Sequence, residues 1–131
     1  MIGLDSNVLV RYLAQDDAAQ SARATRLIEG ELSERVPGYL GLVALVEVCW
    51  VLKRLYDATA GELCDTVRDL LDARQLVVEQ RVVVNAALVR WGGDGGDFAD
   101  ALIAECARTS GCERVVTFDK AAVKVGMTQL R

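Results

Sequence analysis

The sequence predicts an α/β fold with a parallel sheet, and two observations support that prediction. Short, continuously apolar segments alternate with longer helical patterns, which is the order that βαβ units produce. The chain has 131 residues, of which 52% are hydrophobic, and this is enough for one compact core. No internal repeat, low-complexity segment or second domain interrupts the pattern, so residues 1–131 are expected to form a single domain.

The first half of the chain predicts one strand followed by four helices. The strand is apolar, opens the chain and is expected to be buried, and residues that cap helices well come directly after it. A proline–glycine pair breaks the chain before the third helix, and a capping-box pattern opens the fourth. In chain order, these elements are the strand Ile2–Asp5 and helices ending near Leu13 and spanning Ala18–Leu32, Gly41–Tyr56 and Thr59–Asp72.

The second half predicts two further helices and three short strands. The glycine-rich segment Gly92–Gly96 is expected to be a flexible connector, and Gly111 ends the last long helix. In chain order, these elements are a strand over Leu76–Glu79, a helix over Val82–Trp91, a helix from Asp97 to about Ser110, a strand over Arg114–Phe118 and a last strand near Met127–Leu130.

Charge and composition exclude several classes of protein. The net charge of -4 argues against a nucleic-acid binder that relies on bulk positive charge, but it leaves room for a local basic patch. The longest apolar run is too short to cross a bilayer, and the opening MIGLD lacks the features of a signal peptide, so we expect a cytoplasmic protein. The four cysteines form no CxxC pair and are expected to be reduced and mostly buried.

The absence of histidine restricts the possible chemistry. With no histidine in the sequence, Ser-His-Asp and Cys-His nucleophile systems and the usual zinc ligand sets are excluded. An enzyme with this composition would depend on carboxylates, on a metal, or on an unusual lysine or cysteine.

Glu47 is the only polar residue in the eleven-residue run LVALVEVCWVL, which spans Leu42–Leu52. This run predicts a core helix that is apolar nearly all round. Burial would strip the carboxylate of its hydration, so Glu47 is expected to be protonated, paired with a cation or bound to a metal.

Aspartates stand at the starts of other predicted elements. Asp5 and Asp119 each end a predicted parallel strand, and ligands of open α/β sheets bind beyond such strand ends. Asp97 and Asp100 are three residues apart at the start of a helix, so their side chains share one face. The simpler interpretation is that Asp5, Asp97 and Asp119 only cap helices and that the helix dipole favours Asp100 in the first turn.

Taken together, these acids predict a metal site. Clustered carboxylates repel one another and stay ionised together only if a cation compensates their charge. Oxygen-only sites suit Mg²⁺ or Mn²⁺, ions that activate water and neutralise the charge that develops on a phosphate during its transfer. Metal-dependent cleavage of a phosphodiester is therefore the predicted reaction.

In these residues the sequence resembles the PIN-domain ribonucleases, and among them the VapC-type toxins of toxin–antitoxin pairs. The resemblance covers nearly the whole chain and rests on LDSNVLVRYL, LVALVEVCWVL, DFADALIAECARTSGCERVVTFDK and the order of the acids. It implies an α/β/α sandwich with a short central parallel sheet, a homodimer, Mg²⁺- or Mn²⁺-dependent endoribonuclease activity, and a cognate VapB-type antitoxin that blocks the site.

The resemblance also assigns roles to individual residues. Asp5, Glu47 and Asp100 match the core metal-binding acids, and Asp119 matches a fourth, less constant acid. Asp97 matches an acid that is often present one turn earlier and acts as a secondary ligand or a supporting group. The supporting polar residues are Asn7 and Thr117. The sequence departs from the family pattern at Gly41, where a serine or threonine is common, which puts one supporting hydrogen bond in doubt.

Two other functions are compatible with the same sequence. A phosphatase that forms an aspartyl phosphate on Asp5 would place its nucleophile correctly, but such enzymes carry a second aspartate where this chain has Asn7. A non-catalytic binding module of the same fold would not need the full set of acids.

Basic residues near the acids could guide RNA, although solvated helix surface is the simpler interpretation; they are Arg11, Lys53, Arg54 and Lys120. Trp50 and Trp91 are expected in the core or at a dimer interface rather than as platforms for base stacking.

Overall fold

The computed structural model describes residues 1–92 and 96–131. These residues contain seven α-helices, one π-helical segment and five short strands. The strands are β1 Ile2–Gly3, β2 Gly38–Leu40, β3 Leu76–Val78, β4 Val116–Thr117 and β5 Thr128–Gln129. The helices are α1 Ser6–Ala14, α2 Ala18–Thr25, α3 Leu42–Leu55, α4 Ala60–Asp72, α5 Arg81–Trp91, α6 Phe98–Thr109 and α7 Lys120–Val123, and the π-helical segment Arg26–Glu31 continues α2.

The main sheet is parallel and has the order β1-β2-β3. Ile2 pairs with Gly38, and Gly38 pairs in turn with Leu76. The connections are helical, with α1 and α2 between the first two strands and α3 and α4 between the second and third. The α/β fold with a small parallel sheet is therefore confirmed, and helical crossovers explain why its strands are parallel.

The strand β2 does not appear among the predicted elements. It has only three residues and directly follows Pro37, so it is too short for an alternating pattern to show. Gly38 fits there because a Cβ atom would lie 2.8 Å from a methyl carbon of Leu32 and 2.9 Å from one of Leu4. The proline–glycine pair therefore leads into the central strand of the sheet, rather than only breaking the chain.

The strands that precede the two strand-end aspartates differ from the prediction. β1 was expected to be buried, but Ile2 and Gly3 are exposed, and only Leu4 after them is buried. β4 pairs in parallel with β5 in a second sheet of two strands. Asp5 and Asp119 thus follow strands of separate sheets, and not of one sheet as the sequence suggested.

The central helix α3 has a buried face and an exposed face. Leu45, Val48, Cys49 and Leu52 are buried, whereas Glu47 is exposed. Val43 and Trp50, which lie on the same face as Glu47, have 82% and 56% of their surface exposed. The prediction of an apolar core helix around a buried carboxylate is wrong, because the apolar run includes side chains that face solvent. Of the two locations expected for the tryptophans, Trp91 lies in the core, whereas Trp50 is exposed, which leaves a dimer interface as the expectation for Trp50.

Glu79 caps the start of α3. Gly41 is the N-cap residue and offers no side chain, but the Leu42 amide donates a 2.8 Å hydrogen bond to Oε1 of Glu79. Glu79 directly follows β3, so an acid from the neighbouring strand supplies the acceptor that Gly41 lacks.

The four cysteines are free, as predicted, but the expectation that most of them are buried is wrong: Cys49 is buried, Cys64 and Cys106 are half-buried and Cys112 is exposed. Burial raises the pKa of the Cys49 thiol to about 12, so it stays protonated at neutral pH.

Most of the predicted connector Gly92–Gly96 falls outside the described residues. In the described parts of the chain, no helix is both long and apolar enough to cross a membrane.

Candidate functional site

Ser6 links the first two predicted acids. Asp5 is the N-cap of α1, and its Oδ1 accepts a 2.7 Å hydrogen bond from the Ser6 amide. The Ser6 hydroxyl donates to Oε1 of Glu47 and also lies 3.4 Å from Oδ1 of Asp5. Because Ser6 is buried while both acids are exposed, the protein interior holds the group that sets their positions.

The second pair of acids opens α6. Oδ1 of Asp97, the N-cap residue, accepts a 2.8 Å hydrogen bond from the Asp100 amide. Asp100 is half-buried, and its pKa is raised first by burial and then by the nearby carboxylates of Asp97 and Asp119. Three acids from two parts of the chain therefore act on one another electrostatically.

Thr117 supports the last predicted acid. Asp119 caps α7 by accepting a 2.9 Å hydrogen bond from the Ala121 amide. Its own amide donates a 3.0 Å hydrogen bond to Oγ1 of Thr117, which fixes the turn after β4. This contact agrees with the supporting role expected of Thr117. The other expected supporting residue, Asn7, is exposed and lines a groove together with Arg11 and Arg23.

Helix capping does not exclude a role for these acids in cation binding. Asp5, Asp97 and Asp119 each cap a helix through Oδ1, as the simpler interpretation predicts. A cap uses one oxygen, so it does not prevent the second oxygen of the same carboxylate from binding a cation. Within the described residues, none of the five predicted acids pairs with a lysine or arginine; they are Asp5, Glu47, Asp97, Asp100 and Asp119.

The chemistry of this donor set fits a hard divalent cation. All the donors are carboxylate oxygens, and the mutual repulsion at Asp100 is the kind of excess negative charge that a cation would neutralise. The side chains do not converge, however. Among residues 1–92 and 96–131, no three acidic or cysteine side chains lie close enough together to hold one metal ion.

The basic residues near the acids differ in how fully they are engaged. Arg11 forms a 3.1 Å ion pair with Asp16 and donates a 2.7 Å hydrogen bond to Gln20. Lys53 and Arg54 line a pocket that also includes Asp97. Lys53 and Arg54 are therefore better placed than Arg11 to meet an anionic ligand beside the acids.

A buried acid that the sequence analysis missed anchors the C-terminal part. Glu105 on α6 is 4% exposed and contacts Arg90 at 2.7 Å and Arg108 at 3.0 Å. Arg90 also donates a 3.3 Å hydrogen bond to the carbonyl of Val125. These contacts tie α5 and α6 to the chain that leads into β5. The sequence did carry a signal for Glu105, because it is the one acid in the apolar stretch IAECA. Asp100 was identified by a signal of the same kind, an acid in apolar surroundings.

The chain belongs to the PIN domain family, whose pattern matches residues 2–126. This match covers β1 to β4 and all the predicted acids, and it ends before β5. PIN domains are generally nucleases and usually use divalent metals, so the class of protein defined by the fold and the acids is a nuclease-like α/β domain. No curated protein matches the sequence.

Proposed function

We propose that this protein is a Mg²⁺- or Mn²⁺-dependent endoribonuclease and the toxin of a VapBC-type toxin–antitoxin pair. The observation that carries the proposal is the set of five acids at the starts of α1 and α6, on α3 and after β4, none of them paired with a basic side chain in the described residues. Asp100 lies close enough to Asp97 and Asp119 for their charges to raise its pKa, and Ser6 contacts both Asp5 and Glu47. Excess negative charge of this kind is expected where a cation binds.

The acids would divide the work in the following way. Asp5, Glu47 and Asp100 would hold the metal, with Asp119 as a fourth ligand and Asp97 as a secondary ligand. The Ser6 hydroxyl contacts the carboxylates of both Asp5 and Glu47, and Thr117 holds the turn that carries Asp119. When bound, Mg²⁺ or Mn²⁺ would supply water of lowered pKa and would neutralise charge on the scissile phosphate.

The toxin assignment, the antitoxin and the homodimer rest on the sequence resemblance. Exposed apolar side chains on α3 and α5 are compatible with protein partners, because Val43, Val82 and Val89 each have more than three-quarters of their surface exposed. Co-expression with the product of an adjacent small gene, followed by measurement of the mass of the purified complex, would test the antitoxin. A monomer that is active alone and ignores that product would contradict this part.

The decisive experiment compares RNA cleavage by the wild type and the Asp5→Asn variant. Asparagine is as good an N-cap as aspartate, so the fold is retained while one metal-binding charge is lost. Cleavage of single-stranded RNA with Mg²⁺ should disappear in Asp5→Asn and when EDTA is added to the wild type. Asp69→Asn, which removes an exposed acid from α4, is the matched control and should cleave normally. Equal activity of Asp5→Asn and wild type would refute the proposal.

One observation favours a second candidate, a non-catalytic binding module of the same fold. No three acids converge within the described residues, as they would in a preformed metal site. Calorimetric titration with Mn²⁺ separates the two: the nuclease should bind Mn²⁺ and lose affinity in Glu47→Gln, whereas the binding module should show no heat of Mn²⁺ binding in either protein.

A further inference from the structure

We propose that the pocket bounded by α3, the start of α4, the end of α5 and the start of α6 binds one unpaired nucleobase of single-stranded RNA. The choice of RNA as the ligand rests on the proposed function, and the pocket would be the subsite that holds one base of that RNA. Trp50, Lys53 and Arg54 are the residues on which this subsite depends.

The pocket has the size and lining of a site for one flat apolar group. Its volume is about 270 Å³, just below the range of roughly 300–1,000 Å³ typical of sites for drug-sized ligands. Apolar side chains form most of its wall, including Cys49, Leu63, Trp91 and Phe98. The rings of Trp91 and Phe98 pack with their centroids 5.9 Å apart, and together they form an aromatic part of the pocket wall.

An exposed aromatic ring and two cations stand together at this pocket. Trp50 lines it and has 56% of its surface exposed, so its ring is accessible to a ligand. The guanidinium carbon of Arg54 lies 5.3 Å from the centroid of the Trp50 ring, and Lys53 is adjacent on α3. Proteins that bind single-stranded RNA combine aromatic or guanidinium planes, on which bases stack, with cations that meet the phosphates.

The pocket adjoins the candidate metal-binding acids. Asp97 lines the pocket and also accepts the hydrogen bond from the Asp100 amide. Trp50 lies three residues after Glu47 on the same exposed side of α3. A strand of RNA with a phosphate at the acids would therefore have a neighbouring base within reach of the pocket.

Charge favours RNA over a second copy of this chain as the occupant. Lys53 and Arg54 attract a polyanion, whereas a second copy docked here by two-fold symmetry would bring the same two cations against this face. A purely apolar partner segment would fill the pocket but would leave the charges of these two cations without a counter-charge. RNA uses both the aromatic surface and the charges.

The experiment measures binding of short RNAs without any cleavage. Fluorescein-labelled RNA hexamers are titrated in EDTA and followed by anisotropy, with a series in which each position in turn lacks its base. We expect one abasic position to weaken binding to the wild type roughly five- to a hundredfold, the usual worth of one stacked base. Trp50→Leu should weaken binding of the intact hexamer by the same factor and lose the sensitivity to the abasic position.

Two further variants separate stacking from other roles of this surface. Trp50→Phe keeps an aromatic plane and should retain most of the affinity, whereas an apolar protein partner would accept leucine as readily as phenylalanine. Val43→Ala removes an exposed apolar side chain from the same face of α3 without touching the pocket, and it should bind RNA like the wild type. The mass of each variant is measured by light scattering.

Each possible outcome supports or overturns the inference. Equal affinity of Trp50→Leu and wild type, or no sensitivity to any abasic position, overturns it. Lower mass and weaker RNA binding in both Trp50→Leu and Val43→Ala would show an interface between copies and would also overturn it. Base-dependent binding by a wild type that does not cleave RNA with Mg²⁺ would sustain the subsite and refute only the proposed nuclease function. Failure of the wild type to bind any hexamer would refute the subsite whether or not it cleaves.

Discussion

The hydroxyl of Ser6 donates a hydrogen bond to the carboxylate of Glu47, forty-one residues away in the sequence. Ser6 is buried at the start of α1 and Glu47 is exposed on α3, so this bond joins the two helices beneath the candidate site. The α1 and α3 helices pack against each other, which keeps the two residues opposite one another. Glu47 is therefore an oriented carboxylate rather than an isolated charge on the surface.

Replacement of Ser6 by alanine should lower both the affinity for Mn²⁺ and the stability of the fold. The variant loses a hydrogen bond to a charged group, which costs about 1–3 kcal/mol, and frees Glu47 to rotate. Loss of a residue that orients a metal ligand typically lowers metal affinity or activity by roughly 10–100-fold. Calorimetry with Mn²⁺ and urea unfolding would measure the two effects.

Ser21→Ala provides the matched control for Ser6→Ala. Ser21 is also buried, and its hydroxyl donates a 2.9 Å hydrogen bond to the carbonyl of Arg11. Ser21→Ala should lose a similar free energy of unfolding and keep its affinity for Mn²⁺. A parallel loss of Mn²⁺ affinity in both variants would show that Ser6 acts only through stability.

Two substitutions of Asp97 should separate its capping role from its charge. Asp97→Asn keeps an oxygen for the Asp100 amide, so stability should stay within a few tenths of a kcal/mol of the wild type. Asp97→Ala loses the cap and should lose about 1 kcal/mol. If Asp97 is a secondary ligand, both variants should bind Mn²⁺ more weakly by calorimetry. Wild-type Mn²⁺ affinity in Asp97→Asn would reduce Asp97 to a helix cap.

Glu105 should make the stability of the protein sensitive to acid. Burial opposes its charge, but Arg108 and Arg90 hold the pKa of the Glu105 carboxyl below its usual value of 4.5. Because the pKa of the folded state is the lower one, this stabilisation is complete above about pH 4.5 and is lost as the pH falls through the folded-state pKa. Glu105→Gln should therefore cost about 1–3 kcal/mol at pH 7 and progressively less in acid.

Urea unfolding between pH 7 and pH 3 would measure this effect. Glu113→Gln, which neutralises an exposed acid of the same region, is the control and should follow the wild-type profile. A constant difference in unfolding free energy between wild type and Glu105→Gln at all pH values would contradict the assignment.

Gly38 should not tolerate a larger side chain. The Cβ of Gly38→Ala would lie within 3.0 Å of methyl carbons of both Leu32 and Leu4, and overpacking of this kind typically costs about 1–3 kcal/mol. Gly41, three residues later, is the control: an added Cβ would meet nothing closer than Oε1 of Glu79 at 3.5 Å. Thermal unfolding should show a lower Tm for Gly38→Ala and an unchanged or higher Tm for Gly41→Ser. Equal Tm values would mean that the leucines rearrange at little cost.

Helices and acids could be predicted from the sequence, and the links between them could not. Caps and helical periodicity are local, so α4 and its Thr59 cap agree with the prediction. The contact of Ser6 with Glu47 and the cap that Glu79 gives to α3 join residues about forty positions apart, and no local pattern reports them. Exposure of Trp50 could not be predicted either, because hydropathy does not show which apolar face of a helix meets solvent.

The second sheet has a consequence for the acid that it carries. Among the described residues, the small cluster beside β4 and β5 has three buried side chains, namely Ala104, Ala122 and Met127, whereas the main core is several times larger. Local opening costs least where few apolar contacts are lost, so the segment carrying Asp119 should exchange its amide hydrogens sooner than the strands beside Asp5. Asp119 is then the acid that local opening displaces most often, and the hydrogen bond from Arg90 to the carbonyl of Val125 opposes that opening.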